Sequence, residues 1–326
     1  MERVVISQAM IEEGMNYFTE MYPDVQLIVE NERETAKYIF DLQKADGFIL
    51  RRGRIDRNIV KQCPRLKVIS RTGVGVDNVD VQAATEQGIP VVFAPGGNTR
   101  SVVEHTLTLV LALAKNLVTS CSENKAGNFD SFHKASIIEI AGKTIGIVGF
   151  GNIGRAVASQ CRLMKMSVLI YDPYVTEEAL DDPAYVYCKN LEDLLKASDF
   201  ITLHMPATPE TNNLINERTL SMMKEGSFII NCARGTLVDE GALYKSLEQG
   251  HLAGAALDVL AKEPMDPKNP LFSLSNCLIT PHIAGGAKEA ALRSAIMAID
   301  GTMAVIRGEK WKNVINPEVY QHSKWN

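Results

Sequence analysis

The chain has 326 residues, which is enough for two domains of ordinary size. Hydrophobic residues make up 46% of it and charged residues 22%, a balance that predicts a soluble globular protein with substantial cores. The net charge of −5 gives no support for nucleic-acid binding, and the longest apolar run, Leu109 to Ala114, is too short to cross a bilayer. The six cysteines are scattered without metal-ligand spacing, and residues 1–10 lack the layout of a signal peptide. We therefore expect reduced thiols, no bound metal and a cytoplasmic location.

The first hundred residues alternate short apolar runs with turns or helix-compatible segments such as Glu32–Leu42 and Val81–Gln87. This alternation predicts a parallel α/β sheet, because parallel neighbours need a crossover connection. The predicted strands are Val4–Ile6, Val25–Val29, Phe48–Leu50, Val68–Ser70 and Val91–Ala94. The breaker-rich segment from Pro95 to Arg100 then predicts a hinge.

Two segments of this half are candidates for binding an anion. The segment from Arg71 to Asp77 follows a strand and is rich in small residues, so its backbone N–H groups could hold a carboxylate or phosphate; a plain turn is the alternative. A cluster of three arginines follows another strand and could face a cleft, the alternative being a solvated turn. Its members are Arg51, Arg52 and Arg54.

An apolar helix is predicted from about Val102 to Leu117, buried between layers or against another subunit. Ser101 and Glu104 have the spacing of a capping box at its start. We interpret His105, inside the helix, as a hydrogen-bonded interior histidine. Residues 120–140 are polar and predicted to be irregular, with anchors at Phe129 and Phe132.

The segment that organises the chain is a G-x-G-x-x-G turn between an apolar run and a helix-compatible one. Its glycines allow a tight turn, a close approach of backbone N–H groups to a pyrophosphate, and close packing of a helix whose N-terminus favours phosphates. A second apolar run leads to Asp172, where a carboxylate would accept hydrogen bonds from the adenosine ribose and repel a 2′-phosphate, which favours NAD over NADP. A turn without a nucleotide is the alternative. The elements are Thr144–Val148, the glycines Gly149, Gly151 and Gly154, the helix Asn152–Met164, and Val168–Tyr171.

Strand and helix signals continue after Asp172 and complete a second doubly wound sheet. The predicted strands are Phe200–Leu203, Ser227–Asn231, Ala255–Asp258 and Leu278–Thr280, and the helices are Leu191–Lys196, Glu217–Met223, Asp239–Gln249 and Ala287–Arg307, before a loop-like tail from Trp311 to Asn326. The predicted fold class is α/β with two doubly wound parallel-sheet domains. A Rossmann NAD-binding domain of residues 101–287 is inserted into a flavodoxin-like substrate domain of residues 1–100 and 288–326.

Three charged or titratable residues follow strand ends in the second sheet, where open α/β sheets bind ligands. Arg234 could grip a substrate carboxylate in a bidentate fork. His282 could donate a proton to a keto oxygen as hydride arrives, and Glu263 could orient the imidazole and favour its protonated form. Each could singly be a surface charge. Together, on one sheet edge, they favour reduction of a 2-keto acid.

With these residues, the chain resembles the D-2-hydroxyacid dehydrogenase family over nearly its whole length. The matching motifs are Arg-Thr-Gly-Val-Gly-Val-Asp-Asn-Val-Asp, Asn-Thr-Arg-Ser-Val-Val-Glu-His-Thr, the glycine turn, Asn-Cys-Ala-Arg-Gly-Thr-Leu-Val-Asp-Glu, Gly-Ala-Ala-Leu-Asp-Val and Pro-His-Ile-Ala-Gly. The resemblance implies a catalytic arginine at Arg234, an assisting acid at Glu263 and a proton donor at His282. It also implies a homodimer, with the helix after Ser101 at the subunit contact.

The resemblance further implies which residues contact the ligands. Cofactor contacts fall at Gly149, Gly151, Asn152, Ile153, Gly154, Asp172, His204, Cys232 and Asp258, and substrate contacts at Arg51, the backbone of Val74 and Gly75, and Arg234. Two departures stand out. The usual Ser/Thr-rich stretch after His282 reads Gly285-Gly286-Ala287, and a C-terminal regulatory domain is not expected.

The predicted function is NAD-dependent transfer of a hydride between nicotinamide and C2 of a D-2-hydroxyacid. If Arg51 meets the distal end of the substrate, its guanidinium suits a phosphate or second carboxylate, which ranks 3-phosphoglycerate first, hydroxypyruvate or glyoxylate second, and lactate-type substrates third. A non-enzymatic NAD-sensing regulator could keep the same three residues and remains the alternative from a different class.

Overall fold

The computed structural model describes residues 1–32, 34–129 and 137–325, so Phe132 lies outside the described residues. The chain forms two compact units. Unit 1 contains residues 1–98 and 285–326, and unit 2 contains residues 99–284. The sequence-based boundaries lie two or three residues from these, at 100/101 and 287/288.

Twelve strands and eleven helices are named in chain order among the described residues. The strands are β1 (Arg3–Ile6), β2 (Gln26–Val29), β3 (Gly47–Leu50), β4 (Val68–Arg71), β5 (Val91–Val92), β6 (Thr144–Val148), β7 (Ser167–Tyr171), β8 (Val186–Tyr187), β9 (Phe200–Leu203), β10 (Phe228–Asn231), β11 (Gly254–Leu257) and β12 (Cys277–Ile279). The helices are α1 (Glu12–Met21), α2 (Ile39–Leu42), α3 (Arg57–Gln62), α4 (Val81–Glu86), α5 (Thr99–Ala114), α6 (Leu117–Lys125), α7 (Asn152–Leu163), α8 (Leu191–Ala197), α9 (Glu217–Met222), α10 (Glu240–Glu248) and α11 (Lys288–Ile306).

Unit 1 is built on a five-stranded parallel sheet in the order β2-β1-β3-β4-β5, the flavodoxin-like arrangement. Strand β3 is buried at all four positions, as expected for a parallel strand covered on both faces. One apolar core lies on each face, and α11 packs on β3 and β4 from one side. The carboxyl ends of β1, β3 and β4 therefore lie side by side at one edge.

Unit 2 is built on a seven-stranded parallel sheet in the order β12-β11-β10-β9-β6-β7-β8. Strand β6 lies at the point where the order reverses, which is the topology of a Rossmann domain. The predicted fold class is thus confirmed in both units. The glycine turn follows β6, while Arg234, Glu263 and His282 follow β10, β11 and β12 at the same edge of the sheet.

The helix after the predicted hinge differs from its prediction. It begins at Thr99 and ends at Ala114, and a second helix, α6, starts at Leu117 after Asn116 in a left-handed conformation (φ 46°). Because α6 continues to Lys125, the prediction that residues 120–140 are irregular was wrong for residues 120–125. The capping-box prediction for Ser101 was wrong, because Ser101 lies inside α5 and its hydroxyl donates to the carbonyl of Ala284 at 2.6 Å. A tertiary partner has replaced the local one.

Three further predictions need correction. The segment predicted as one helix over Glu32–Leu42 is a 3-10 turn at Thr35–Tyr38 followed by the short α2. Phe129 is 71% exposed and does not anchor its segment to the described part of the chain. The tail is not a plain loop: Asn316 is buried and its amide oxygen accepts from Val91 N–H at 2.8 Å, and 3-10 turns follow.

Among the described residues, no single helix combines the length and apolarity needed to cross a membrane, although the bent pair α5–α6 does so by length and composition.

Candidate active site and dinucleotide site

The glycine turn of unit 2 has the geometry that its sequence predicts. Gly149 has φ +97°, and a Cβ atom there would lie 2.7 Å from the carbonyl oxygen of His204. A Cβ atom at Gly154 would lie 2.0 Å from the carbonyl oxygen of Gly149, so only glycine lets α7 start this close to β6. Gly151 has open space around it and caps α7, leaving its backbone accessible. Asn152 and Ile153 form the first turn of α7, whose N–H groups and dipole favour a phosphate. The site therefore fits a dinucleotide.

Asp172 lies at the carboxyl end of β7, next to this turn. One carboxylate oxygen accepts from the backbone N–H of Phe150 at 2.7 Å, and the other accepts from Tyr174 N–H at 2.8 Å. The carboxylate is therefore held in a fixed orientation and stays partly exposed. A carboxylate oxygen has more than one lone pair, so both oxygens can still accept from ribose hydroxyls.

His204 and Cys232, two further predicted cofactor contacts, are both held neutral by burial. The pKa of His204 is lowered to about 3 by desolvation, and its Nε2 lies 3.1 Å from the hydroxyl of Thr202. The pKa of the Cys232 thiol is raised to about 12 by burial. Neither side chain supplies a proton or a charge near neutral pH, so both contribute to the site only through their volume and their packing.

His282 and Glu263, two of the three predicted site residues, are in direct contact. Nδ1 of His282 lies 2.8 Å from Oε2 of Glu263. Because a carboxylate only accepts, Nδ1 carries the hydrogen and Nε2 is the nitrogen left for proton transfer. The hydrogen bond that His282 donates to Glu263 raises the pKa of His282, whereas desolvation and the charge of Arg234 lower it.

Arg234 follows β10 and lies close enough to His282 to lower its pKa. Its Nη1 donates to the carbonyl of Ala233 at 2.7 Å, and its own carbonyl accepts from the amide of Asn231 at 2.9 Å. These bonds fix the backbone of the turn and one edge of the guanidinium. The three residues predicted to carry the chemistry thus lie on one sheet edge of unit 2.

Asp258 has a structural role that the sequence did not predict. Its carboxylate is fully buried and accepts from the Thr280 hydroxyl at 2.6 Å and from the backbone N–H groups of Ile283 and Ala284 at 2.9 and 2.8 Å. Its carbonyl also accepts from His282 N–H at 2.8 Å. His282 has φ 55°, a conformation that is unfavourable without such support. Asp258 therefore holds the turn that aims His282.

His105 extends this cluster from α5. Its Nε2 lies 3.1 Å from the hydroxyl of Thr280, which already donates to Asp258. The hydroxyl must then accept, so Nε2 of His105 carries a hydrogen. This placement agrees with the interpretation of His105 as a hydrogen-bonded interior histidine. Its partner Thr280 is 175 residues away along the chain, so no local sequence pattern predicts the contact.

In unit 1, the arginine cluster after β3 is tied to the backbone. The N–H groups of Arg51 and Arg52 both donate to the hydroxyl of Ser7, at 2.8 and 3.1 Å. Nη1 of Arg51 donates to the carbonyl of Ala9. Burial, with the charge of Arg52, lowers the pKa of Arg51. Arg51 is thus fixed against its own unit.

Arg71, at the end of β4, braces the turn predicted to hold a carboxylate. Its Nε donates to the carbonyl of Gly75 at 3.0 Å, and its Nη1 donates to the carbonyls of Leu50 and Arg51 at 2.7 and 3.0 Å. With these carbonyls turned toward Arg71, the turn is held in one shape around Val74, which is 39% exposed. The sequence motif located this turn but gave no sign of its brace.

A seven-stranded doubly wound sheet with this glycine turn and an acid at the next strand end defines a dinucleotide-binding domain. Residues 107–284 match the family model described as D-isomer specific 2-hydroxyacid dehydrogenase, NAD binding domain. The chain belongs to the D-isomer specific 2-hydroxyacid dehydrogenase family, and its unit 2 carries the NAD-binding domain of that family.

Individual relatives agree with this assignment. The chain is 38% identical over 315 residues to a D-3-phosphoglycerate dehydrogenase of Archaeoglobus fulgidus, covering 96% of this chain and 59% of that protein. It is 35% identical over 327 residues to a glyoxylate reductase of Aeropyrum pernix, covering 97% of this chain and 96% of the relative. The structure of D-lactate dehydrogenase from Aquifex aeolicus, complexed with NAD and lactic acid, superposes with a TM-score of 0.86 at 30% identity, covering 96% and 99% of the two chains. The chain spans less than two thirds of the phosphoglycerate dehydrogenases it matches.

Proposed function

We propose that the protein is an NAD-dependent dehydrogenase of a D-2-hydroxyacid. The observation that carries the proposal is the 2.8 Å contact between His282 Nδ1 and Glu263 Oε2, at the sheet edge that also bears Arg234 and the glycine turn. A histidine with one nitrogen held by a carboxylate and a raised pKa is suited to move a proton near neutral pH. An arginine beside it suits a 2-keto acid.

The residues of the chain have distinct parts in the proposed reaction. Bound NADH supplies the hydride for the keto carbon. Nε2 of His282 gives its proton to the keto oxygen in reduction and takes a proton from the hydroxyl in oxidation. Glu263 keeps the imidazole in the tautomer and orientation that this transfer needs, and stabilises its charged form. Arg234 binds the substrate carboxylate, and Asp258 holds the turn of His282.

NAD is proposed as the preferred form of the cofactor because Asp172 presents a fixed carboxylate beside the glycine turn. A 2′-phosphate placed there would meet that negative charge. The unmodified protein should therefore use NADH with a much higher kcat/KM than NADPH. Equal use of both cofactors would remove this part of the proposal.

For the substrate, we propose 3-phosphoglycerate and its keto product first, with glyoxylate or hydroxypyruvate second. D-3-phosphoglycerate dehydrogenases and glyoxylate reductases are both among the similar proteins, the latter at matching length. Arg51 favours the phosphorylated compound, since a guanidinium fixed by its bond to Ala9 can still offer N–H donors to a phosphate.

The test is kcat/KM with phosphohydroxypyruvate, hydroxypyruvate, glyoxylate and pyruvate. Phosphohydroxypyruvate should be the best substrate, and Arg51→Ala should remove its advantage by roughly ten- to a hundredfold, the worth of one or two charged hydrogen bonds. Arg54→Ala, which changes an exposed arginine of the same cluster, is the matched control. If glyoxylate or hydroxypyruvate has the highest kcat/KM in the unmodified protein, it replaces phosphohydroxypyruvate as the proposed substrate. If NADH binds but no keto acid is reduced, the regulator alternative replaces the enzyme.

We further propose a cytoplasmic homodimer. Exposed apolar side chains on α5 and α6 support the subunit contact: Leu111, Leu117 and Val118 are 38%, 53% and 52% exposed. Surface of this kind on a helix pair favours burial against a second copy. Sedimentation equilibrium of the full chain should give twice the monomer mass, and a monomer at micromolar concentration would contradict the proposal.

A further inference from the structure

Glu240 is tied to both ends of the segment that carries Glu263. Its Oε1 accepts from the backbone N–H of Ala261 at 2.6 Å, and its Oε2 accepts from the side-chain amide of Asn269 at 2.6 Å. The segment 261–269 lies between these two anchors, and Glu263 is its third residue. Hydrogen bonds to an ionised acceptor are among the stronger ones in proteins. A single carboxylate therefore clamps the segment at its start and its end.

Glu240 itself is held in place by its position at the start of a capped helix. Glu240 opens α10, whose N-cap, Asp239, accepts from Ala242 N–H at 3.0 Å. Five residues before Glu240, Gly235 lies directly under the start of the segment, where a Cβ atom would be 1.9 Å from the carbonyl carbon of Leu260. The turn after β10 and the segment after β11 are therefore in backbone contact. Glu240 fixes the segment on the same turn that carries Arg234.

The part of the segment that carries Glu263 has no buried side chain among the described residues. Ala261, Lys262, Glu263 and Pro264 are all exposed, and the first apolar contact with the core comes at Met265, which is only partly buried. The ion pair between Lys262 and Asp266, at 3.7 Å, lies within the segment and does not attach it to the sheet. An exposed stretch without a packed side chain has its position set by hydrogen bonds at its ends.

We propose that Glu240 is a positioning residue of the active site, which keeps the carboxylate of Glu263 on Nδ1 of His282 by clamping segment 261–269. The inference rests on the proposed function for its catalytic meaning, but the geometry it predicts does not depend on turnover. Glu240 lies in the motif Asn-Cys-Ala-Arg-Gly-Thr-Leu-Val-Asp-Glu, directly after the N-cap aspartate.

Glu240 has to act on His282 through Glu263. The charged groups that shift the pKa of His282 are Glu263, Asp258 and Arg234, and within the described residues Glu240 is not one of them. A change at Glu240 that only removed a distant charge would therefore leave the imidazole unaffected. A change that loosened the segment would lengthen the 2.8 Å contact and lower the titration midpoint of His282.

The experiment is an NMR titration of the histidine ring protons in the full chain without cofactor or substrate. His282→Asn assigns the signal. Glu240→Ala should move the His282 midpoint down by about half a unit or more, toward its position in Glu263→Gln. Glu240→Gln, which keeps the shape but only one acceptor, should move it by less. In the double variant Glu240→Ala, Glu263→Gln, the midpoint should equal that of Glu263→Gln alone.

Glu248→Gln, at the other end of α10 and bonded only to Tyr244 in the described chain, is the matched control and should leave the midpoint unchanged. A wild-type midpoint in Glu240→Gln and Glu240→Ala, with folded amide spectra, would overturn the proposal and leave Glu240 as a structural residue. So would a further shift in the Glu263→Gln background, since that requires another route. If Glu240→Ala does not fold, Glu240→Gln alone decides.

Kinetics give a second readout. Glu240→Ala should shift the pH midpoint of kcat in the same direction as the NMR midpoint, with the KM for NADH changed by less than about twofold. If the unmodified protein reduces no 2-keto acid, the proposed function fails and the titration still decides whether Glu240 positions Glu263. If the enzyme is active and the titration shows no shift, the function stands and the clamp fails.

Discussion

The carboxyl edges of the two sheets place arginine in different surroundings. In unit 1, Arg51 and Arg71 donate to backbone carbonyls, and the hydroxyl of Ser7 takes up two further backbone N–H groups. In unit 2, Arg234 lies beside a histidine whose pKa is raised by a carboxylate. The first edge is a braced surface with fixed backbone shape. The second edge carries an imidazole that is held by a carboxylate.

Under the proposed function, this difference would give substrate recognition to the residues of unit 1 and proton transfer to those of unit 2. The guanidinium of Arg71 stiffens the unit 1 edge, because it donates charged hydrogen bonds to the carbonyls of Leu50, Arg51 and Gly75. The bond between Glu263 and His282 instead uses a carboxylate to set a protonation state. Changes at the two edges should therefore have different kinetic signatures.

The largest effect should come from removing the mobile proton. His282→Asn keeps a side chain of similar polarity but cannot transfer a proton from Nε2, so kcat should fall by roughly 10²–10⁴-fold. NADH affinity, measured by fluorescence titration, should be retained, because the glycine turn and Asp172 are untouched. The control is His251→Asn, at another histidine of unit 2, whose ring Nε2 lies 3.0 Å from the carbonyl oxygen of Leu220. Normal turnover in His282→Asn would require a different proton donor.

Arg234→Lys tests the arginine of the unit 2 edge whose charge acts on His282. Lysine keeps the charge but loses the planar fork, so binding of the keto acid should weaken by about one charged hydrogen bond, or roughly ten- to a hundredfold in KM. The KM for NADH should stay nearly constant. Arg218→Lys, an exposed arginine that pairs with Glu192 at 3.1 Å, is the matched control. An unchanged KM would place the substrate carboxylate elsewhere.

Some of these features could be predicted from the sequence and others could not. The glycine turn and Asp172 could be predicted because their parts lie within one strand-turn-helix unit, and the two sheets followed from alternating apolar runs. Ser101 was mispredicted because its hydroxyl bonds to a carbonyl 183 residues away.

Long-range polar contacts explain the other omissions as well. The bonds of Glu240 to Ala261 and Asn269 span 21 and 29 residues, and the brace of Arg71 joins two strand ends. Periodicity and turn chemistry report on neighbours along the chain, so they carry no information on such partners. Candidate catalytic residues could therefore be named from the sequence, whereas the residues that position them could not.

Arg71→Met tests the braced edge. Removal of the guanidinium leaves three carbonyls without their charged donor, which should loosen the turn around Val74 and raise the KM for the keto acid by about tenfold. The pH midpoint of kcat should not move, because the charges acting on His282 are in unit 2. Arg65→Met, an exposed arginine near the start of β4 that pairs with Asp46 at 3.4 Å, is the control. A shifted midpoint would contradict the division of labour between the two edges.

The smallest effect should come from Glu263→Gln, which keeps the side chain of Glu263 in shape and removes its charge. The hydrogen bond that His282 donates to Glu263 raises the pKa of His282, so its imidazole stays protonated to higher pH than that of an ordinary histidine. Keto-acid reduction, which needs that proton, should fall as pH rises through the raised pKa, and oxidation should rise through it. Without the anion the pKa falls, so both profiles should move to lower pH by about one unit, while the reduction rate below the new midpoint stays near that of the unmodified protein. Plots of kcat/KM against pH in both directions provide the measurement, with Glu248→Gln as the control. A profile that moved to higher pH, or did not move, would mean that Glu263 does not set the protonation of His282, and the two edges would then differ in shape but not in chemistry.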